Sequence, residues 1–300
     1  MKRIDTLYLN ITNNCQANCD YCYINYRETN NKFVETLNKL IIAIKQSDPT
    51  TVIITGGEPL LYPKLVSDIM NFFKIDHMKF FRAILCSNLL YDKISKEQLY
   101  AISKYDELQT TISIERFKDT KSYIHFLKNI KYIKSKLNIK IGLIITISPE
   151  FISNINLIKF KNSYIYRYLD WIKPEALSYS DYDIDYEKYY TDYDNYLSAI
   201  FKYIPKERNI VLNEMKNNYK FNKSIQCNLC SDSNIKTYIN GKFIIGCNCL
   251  VKKINRSEKF KTKCCNCEYF KYCNMDCERF GNYCAFPKNT FDKYIIRGEN

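Results

Sequence analysis

Three cysteines fall within eight residues near the front of the chain: Cys15, Cys19 and Cys22, in NCQANCDYCY. Thiolates are soft ligands, and three at this spacing can wrap three corners of a 4Fe–4S cube, leaving the fourth iron without a protein ligand. An open iron of that kind can bind a small molecule, whereas a cube closed by four thiolates only passes electrons. A zinc site would want a fourth ligand close by. The two histidines, His77 and His125, both stand far from the trio in sequence.

A second set of thiols crowds the other end. Ten of the 14 cysteines follow residue 226, as Cys227-x2-Cys230, then Cys247 and Cys249, then Cys264-Cys265-x-Cys267-x5-Cys273-x3-Cys277, and lastly Cys284. With no export signal at the N-terminus, such a density reads as metal ligation rather than as a disulfide framework. Within KTYINGKFIIGC, Asn240-Gly241 lies between two short β-prone runs and predicts a type I′ hairpin. Folding there places Ile235 near Gly246 and brings Cys230 and Cys247 to one end of the hairpin. Two Cys-x2-Cys pairs would serve a zinc ribbon equally well. The remaining thiol, Cys86, sits in an apolar run and is expected in the core.

These groups need a scaffold that gathers them. Short apolar runs at Thr6–Thr12, Thr51–Thr55, Phe80–Cys86, Leu108–Ile114, Ile139–Ile147 and Tyr164–Ile172 read as strands, most of them apolar throughout. That is the pattern of a parallel sheet covered by helices. Helical periods lie between them at Phe33–Lys45 and Lys118–Leu137, the latter with a stripe of Ile124, Leu127, Ile130, Ile133 and Leu137. Six βα units predict a whole or partial α/β barrel with its chemistry at the C-terminal strand ends. The cysteine loop then follows the first strand. Gly56-Gly57-Glu58-Pro59 follows the second, Ser87-Asn88 the third, and Ser113 and Glu115 the fourth. Beyond a tyrosine-rich stretch, a packing stripe of Tyr186, Tyr189, Tyr193, Leu197, Ile200 and Ile204 is broken by Pro205. The expected units are residues 1–205, the barrel, and 206–300, a small cysteine-rich domain.

At 300 residues and 46% hydrophobic composition the chain can bury a substantial core. It lacks an apolar run long enough to cross a membrane as a helix, and a cytoplasmic location is expected. The formal charge is +13. Three thiolate-bound cubanes would lower it to roughly +8, still basic enough to favour acidic partners. The lysines are spread along helical faces, as at Lys121, Lys128 and Lys131, and no basic run with interleaved aromatics points to nucleic acid.

Cys15-x3-Cys19-x2-Cys22, with Tyr21 before the last cysteine and Gly56-Gly57-Glu58-Pro59 one strand later, closely resembles the signature of the radical S-adenosylmethionine (SAM) superfamily. The resemblance implies a partial (β/α)6 barrel and a 4Fe–4S cluster whose open iron chelates SAM through its amine and carboxylate. Reductive cleavage of SAM then yields a 5′-deoxyadenosyl radical that abstracts hydrogen from the substrate. It implies that Glu58 and the Gly56-Gly57 backbone hold the SAM amine beside Pro59, and that Tyr21 lies on the adenine side of the loop. Ser87, Asn88, Ser113 and Glu115 would face the ribose, although Ser-Asn at a strand end is also ordinary turn chemistry.

The tail resembles the SPASM extension of peptide-modifying radical SAM enzymes. Cys264, Cys267, Cys273 and Cys277 match its block spacing, with Cys284 as the last cysteine, while Gly241 to Cys247 is one residue longer than usual. The resemblance implies two auxiliary 4Fe–4S clusters, one on Cys264, Cys267, Cys273 and Cys284, the other on Cys227, Cys230, Cys247 and Cys277. Cys249 is an alternative to Cys247. The function so implied is modification of a peptide or protein by crosslinking, epimerisation or oxidation, with a small flavodoxin- or ferredoxin-type electron donor. A separate leader-binding domain is not expected, and a precursor is expected to dock on the barrel, the tail or a partner protein. A different substrate, such as a sulfatase-type protein or an RNA, and a non-catalytic iron–sulfur or zinc protein are the competing readings. Among Tyr168, Asp170 and Glu175, near the end of the expected sixth strand, no general base can be chosen from sequence.

Overall fold

The computed structural model of the chain describes residues 4–17, 19, 22, 33–75, 82–112, 120–147, 167–176, 208–209, 213, 217, 220, 235–245 and 297. Strands β1 (Ile4–Asn10), β2 (Pro49–Thr55), β3 (Arg82–Ser87), β4 (Glu107–Ile112), β5 (Lys140–Ile147) and β6 (Trp171–Ala176) pair in parallel, each with the next. The hairpin of β7 (Ile235–Ile239) and β8 (Lys242–Ile245) adds to the free side of β1. The sheet order is β6-β5-β4-β3-β2-β1-β7-β8. Helices α1 (Leu37–Ser47), α2 (Pro63–Ile75), α3 (Lys96–Ile102) and α4 (Thr120–Lys136) lie between the strands in sequence. None of the helices among the described residues is long and apolar enough to cross a membrane.

The pairing register sorts the side chains onto two faces, because successive residues of a strand point to opposite sides. Leu7 and Leu9 align with Val52 and Ile54, then Ala83 and Leu85, then Leu108, and Ile141 continues the row. All of these are buried. Buried apolar residues of the helices provide their cover: Leu40 and Ile44 on α1, Val66, Ile69 and Phe73 on α2, Ala101 and Ile102 on α3, Phe126, Ile130 and Ile133 on α4. Each of these side chains other than Ala101 contributes about 1.5–3 kcal/mol on leaving water. The opposite, inner face carries Asn10, Thr55, Cys86, Gln109, Thr111, Ile144, Thr146, Trp171 and Lys173. It is the more polar of the two.

An aspartate closes the ladder at the N-terminal edge in two places. Asp106, just before β4, donates its N–H to Ala83 O and accepts Ala83 N on Oδ2 at 2.8 Å. Asp170, just before β6, repeats the device on Ile141, with the N–H to Oδ2 distance 2.7 Å. Lys134 also reaches Asp170 Oδ2, at 2.7 Å.

Two expectations need correction. The sixth strand begins at Trp171 and runs to Ala176, while Arg167 and Tyr168 lie in a 3-10 turn before it. Pro174 makes this stretch a poor strand in sequence, but a proline is tolerated in an edge strand such as β6. As a result Tyr168 and Asp170 sit at the end of the sheet away from the cysteine loop, and only Glu175, in register with Thr146, lies toward that loop. The stripe of α4 is also rotated. Ile124 is 41% exposed, whereas Phe126 and Asn129 are buried. The tyrosine-rich stripe from Tyr186 to Ile204 lies outside the described residues.

The hairpin matches its sequence reading. Lys236 pairs with Ile245, and Asn240 and Gly241 have φ of 46° and 76°, both positive as a type I′ turn requires. Gly241 N donates to Glu35 Oε1 at 2.9 Å, so a buried carboxylate from the segment before α1 holds the turn. Because β7 runs parallel to β1, this turn lies at the C-terminal end of the sheet. The entrance to β7 and the exit from β8 lie at the opposite end.

Gly142 opposes Trp171 across β5 and β6, and a Cβ there would stand 2.0 Å from the indole ring. Gly142→Ala should displace the ring and cost about 1–3 kcal/mol by overpacking. Trp171 is the single tryptophan of the chain. A changed emission maximum and a lower urea midpoint are therefore expected, and native values for both would refute the packing.

Candidate functional site

The cysteine loop leaves the end of β1 and is stapled at its root. Thr12 bridges Val34, Thr12 Oγ1 donates to Phe33 O at 2.8 Å, and Asn13 Oδ1 accepts Phe33 N at 2.7 Å. Glu35 N bonds Ile11 O at 2.8 Å, which passes the chain back into α1. Whatever lies between, both ends of the loop are fixed at the top of one strand.

The Gly-Gly-Glu-Pro turn is laid against that root, backbone on backbone. Gly57 N donates to Thr12 O at 2.7 Å and Glu58 N to Asn14 O at 2.8 Å, so the β1–β2 pairing continues past both strands. A Cβ on Gly56 would fall 2.2 Å from Thr12 O, and one on Gly57 would fall 2.1 Å from Asn14 O. Gly56 also has φ of +139°, a conformation that side chains disfavour. Pro59 then opens a 3-10 turn, Pro59–Leu61. Leu60 O accepts from Gln98 Nε2 at 3.1 Å, and Gln98 in turn closes the capping box of α3 with Ser95.

Glu58 is fully buried, and its carboxylate joins the ends of β2 and β3. Oε1 accepts from Leu60 N and Ser87 Oγ, both at 2.9 Å, and Oε2 accepts from Asn88 N at 2.7 Å. Asn88 continues the connection, since its Nδ2 donates to Cys15 Sγ at 3.4 Å. Gln16 Nε2 reaches back to Asn88 Oδ1 and Leu90 O, at 3.1 and 3.2 Å. Tyr91, after this turn, faces Glu58 and Gln16, and burial pushes its phenol well above the usual range, with the Glu58 charge adding to the effect.

The thiols differ in setting. Cys15 lies at the mouth with its sulfur partly desolvated, which raises its pKa; the charges of Glu58 and Cys22 push the same way, and Ala17 N and Asn88 oppose them. Cys22 N bonds Cys19 O at 2.9 Å, a tight turn that ties the second and third thiols together. Among the described residues no three His, Cys, Asp or Glu side chains converge as a single metal ion would require. Three thiols on one loop, Cys15, Cys19 and Cys22, are the donor type that a 4Fe–4S cluster takes. Cys86 is not in the helix-covered core. It is half-buried on the inner face beside Gln109, and burial, then Glu58 and Glu107, push its thiol up to about 12.

The structure thus brings together Cys15, Gly56, Gly57, Glu58, Pro59, Ser87 and Asn88, with Cys19 and Cys22 on the same loop. Tyr21, Ser113, Glu115 and the tail cysteines Cys227, Cys230, Cys247, Cys264, Cys267, Cys273, Cys277 and Cys284 lie outside the described residues. Sequence reasoning missed Gln16, Tyr91 and Asn129. Asn129 did carry a signal, being a polar residue in the apolar helical row of Phe126, Ile130 and Ile133, where asparagine is a poor choice unless it has a partner.

Comparison with known proteins agrees with this geometry. The family model of the radical SAM superfamily matches residues 9–151, which run from the end of β1 through β5 and include every site residue described. An uncharacterized protein of Methanocaldococcus jannaschii is 28% identical over 148 residues, 46% of this chain. The chain spans about half the length of that relative, 51%. Among solved structures, anSMEcpe with bound AdoMet and the Cp18Cys peptide shares the fold, with a TM-score of 0.63 and 12% identity over 99% of this chain and 98% of the other. SuiB of Streptococcus suis bound to S-adenosylmethionine gives a TM-score of 0.48 and 12% identity, over 67% of this chain and 48% of its own. The family model is what supports the radical SAM superfamily here, and the likeness to anSMEcpe shows a shared fold.

Since Gly57 has no room for a side chain, Gly57→Ala must push the cysteine loop away from the turn. A loss of stability of about 2 kcal/mol or more is expected, together with reduced iron uptake on anaerobic reconstitution. Native melting and full iron content would refute the contact. Glu58→Gln would set an NH2 group or a weaker acceptor against Asn88 N or its neighbours, at about 1–3 kcal/mol, read as a lower urea midpoint at unchanged slope.

Proposed function

We propose that this chain is a radical SAM enzyme that modifies a peptide or protein. The observation that carries the reading is the seating of the Gly56–Pro59 turn on the root of the three-cysteine loop. That contact supports the reading because it puts the cysteine loop and a backbone stretch without side chains side by side at the C-terminal end of a parallel sheet, where such sheets carry their chemistry. The cluster and SAM supply one-electron cleavage of the sulfonium carbon–sulfur bond and a 5′-deoxyadenosyl radical able to take hydrogen from a substrate.

The chain's own residues do the holding. Cys15, Cys19 and Cys22 would hold the cluster, leaving one iron free to take SAM. The Gly56-Gly57 backbone approaches the amine, and Glu58, accepting from Leu60, Ser87 and Asn88, fixes that backbone. Tyr21 lies on the adenine side. Of the residues read as ribose-facing, Ser87 and Asn88 use polar groups on Glu58 and Cys15, which leaves Ser113 and Glu115 to carry that contact. The inner face, with Thr111, Thr146 and Lys173 around Ile144, is the polar side along which an extended peptide would run.

Residues 206–300 form a SPASM-type unit in this reading, its hairpin sharing the barrel's sheet and its cysteines holding two auxiliary clusters. The hairpin's entrance and exit lie at the end of the sheet opposite the first loop, which suits clusters separate from the first. The positive charge suits an acidic flavodoxin- or ferredoxin-type donor. Support for a peptide substrate comes from the shared fold of anSMEcpe, solved with a peptide bound.

Anaerobically reconstituted protein with dithionite and SAM should form 5′-deoxyadenosine, and Cys15→Ala/Cys19→Ala/Cys22→Ala should form none. Undiminished product from the triple variant would overturn the assignment. Three cubanes predict about 12 Fe per chain. A value near 4 together with zinc would remove the auxiliary clusters and leave the first. Mass spectrometry of candidate peptides after incubation should show loss of two hydrogens for crosslinking, or deuterium uptake alone for epimerisation.

A further inference from the structure

Asn88 has a task that SAM binding does not use. Its Oδ1 accepts Leu90 N at 2.8 Å and Gln16 Nε2 at 3.1 Å. A backbone N–H can only donate, so the atom facing Leu90 must be the oxygen. The amide NH2 therefore points the other way, and there Nδ2 meets Cys15 Sγ at 3.4 Å. The main chain is fixed as well, by the bond from Asn88 N to Glu58 Oε2 at 2.7 Å.

The turn that presents this amide is held under strain. Leu89 is fully buried and has φ of 52°, a left-handed conformation uncommon for a residue with a side chain. Its N–H bonds Ser87 Oγ at 3.1 Å. From α4, the buried Asn129 spends its Nδ2 on two carbonyls of the same turn, Leu89 O at 3.2 Å and Tyr91 O at 2.7 Å. A buried polar side chain is thereby devoted to keeping Asn88 aimed.

We infer that Asn88 sets the reduction potential of the cluster on Cys15, Cys19 and Cys22 by donating to the Cys15 sulfur, and that Asn129 is the positioning residue that aims it. The inference rests on the cluster reading above. Adding an electron makes the thiolate sulfurs more negative, so an N–H donor to sulfur favours the reduced state and raises the potential. Ala17 N also donates to Cys15 Sγ, at 3.4 Å, but from within the loop itself. Asn88 brings its donor from a different strand, through a side chain that substitution can remove without touching the loop's backbone.

The test is an EPR-monitored redox titration of the reconstituted full chain without SAM, following the signal that responds to SAM in a parallel sample. Asn88→Asp keeps the size and the oxygen bound by Leu90 and Gln16 but replaces the N–H donor. Its reduction equilibrium should fall about tenfold or more, equivalent to ~59 mV for one electron, at native iron content. Asn129→Leu, which frees both carbonyls, should shift the potential the same way by less. In native protein carrying 15N in its asparagine side chains, pulsed EPR of the reduced state should detect a nitrogen coupling, and this arm stands even if a variant loads poorly. Native potentials in both loaded variants, or no coupling in the labelled native protein, would overturn the inference. Native protein that takes up no iron would defeat this inference and the cluster reading together; a SAM-responsive cluster with an unmoved potential would defeat this one alone.

Discussion

The rest of the site depends on two stretches of main chain that touch with no side chain between them. The Gly56-Gly57 backbone lies directly against Thr12–Asn14, close enough that a methyl group on either glycine would collide with a carbonyl oxygen. Parallel strands β1 and β2 bring the two turns to the same edge. Only the absence of Cβ atoms lets their pairing run on beyond the strands into the loops. The root of the cysteine loop is therefore as fixed as the sheet itself.

On this contact is built a chain of hydrogen bonds that runs from the second strand to the third and back to the first. Glu58 accepts from Leu60, Ser87 and Asn88, and Asn88 returns to Cys15. Burying a carboxylate is costly unless donors replace the lost water. Here three donors do so, and each belongs to a segment whose position matters for the site. Removing Glu58 would release all three at once, whereas loss of one donor leaves two. The carboxylate thus acts as the common fastener of the strand ends, and Gln98 and Asn129 secure the adjoining turns from the helix layer.

The hairpin adds a second tie to the same loop. Glu35, just past the loop's return, holds the Asn240-Gly241 turn through Gly241 N. A segment some 200 residues away in sequence is thus fastened beside the loop root. Parallel pairing of β7 with β1 also fixes direction, with the turn near the cysteine loop and the two open ends of the hairpin far from it. An antiparallel addition would have reversed this and set the hairpin's flanks beside the first loop.

Much was legible beforehand because it is local. Cysteine spacing, the Gly-Gly-Glu-Pro turn, the apolar strand runs and the Asn240-Gly241 hairpin are each set by a few neighbouring residues, whose φ preferences or side-chain types leave little choice. The sixth strand was misplaced because an aromatic run looked more strand-like than Trp171–Ala176, whose edge position excuses Pro174. Cys86 was assigned to the core by its apolar neighbours, though alternation turns it to the inner face. What no run of residues could reveal is which distant groups meet. That Glu58 would face Ser87 and Asn88, that Asn88 would reach Cys15, and that Asn129 would brace the strained Leu89 turn follow only from strand register and helix packing. Hydrogen bonds between elements act over about 3 Å, and separation along the chain carries no information on that scale until the fold has closed.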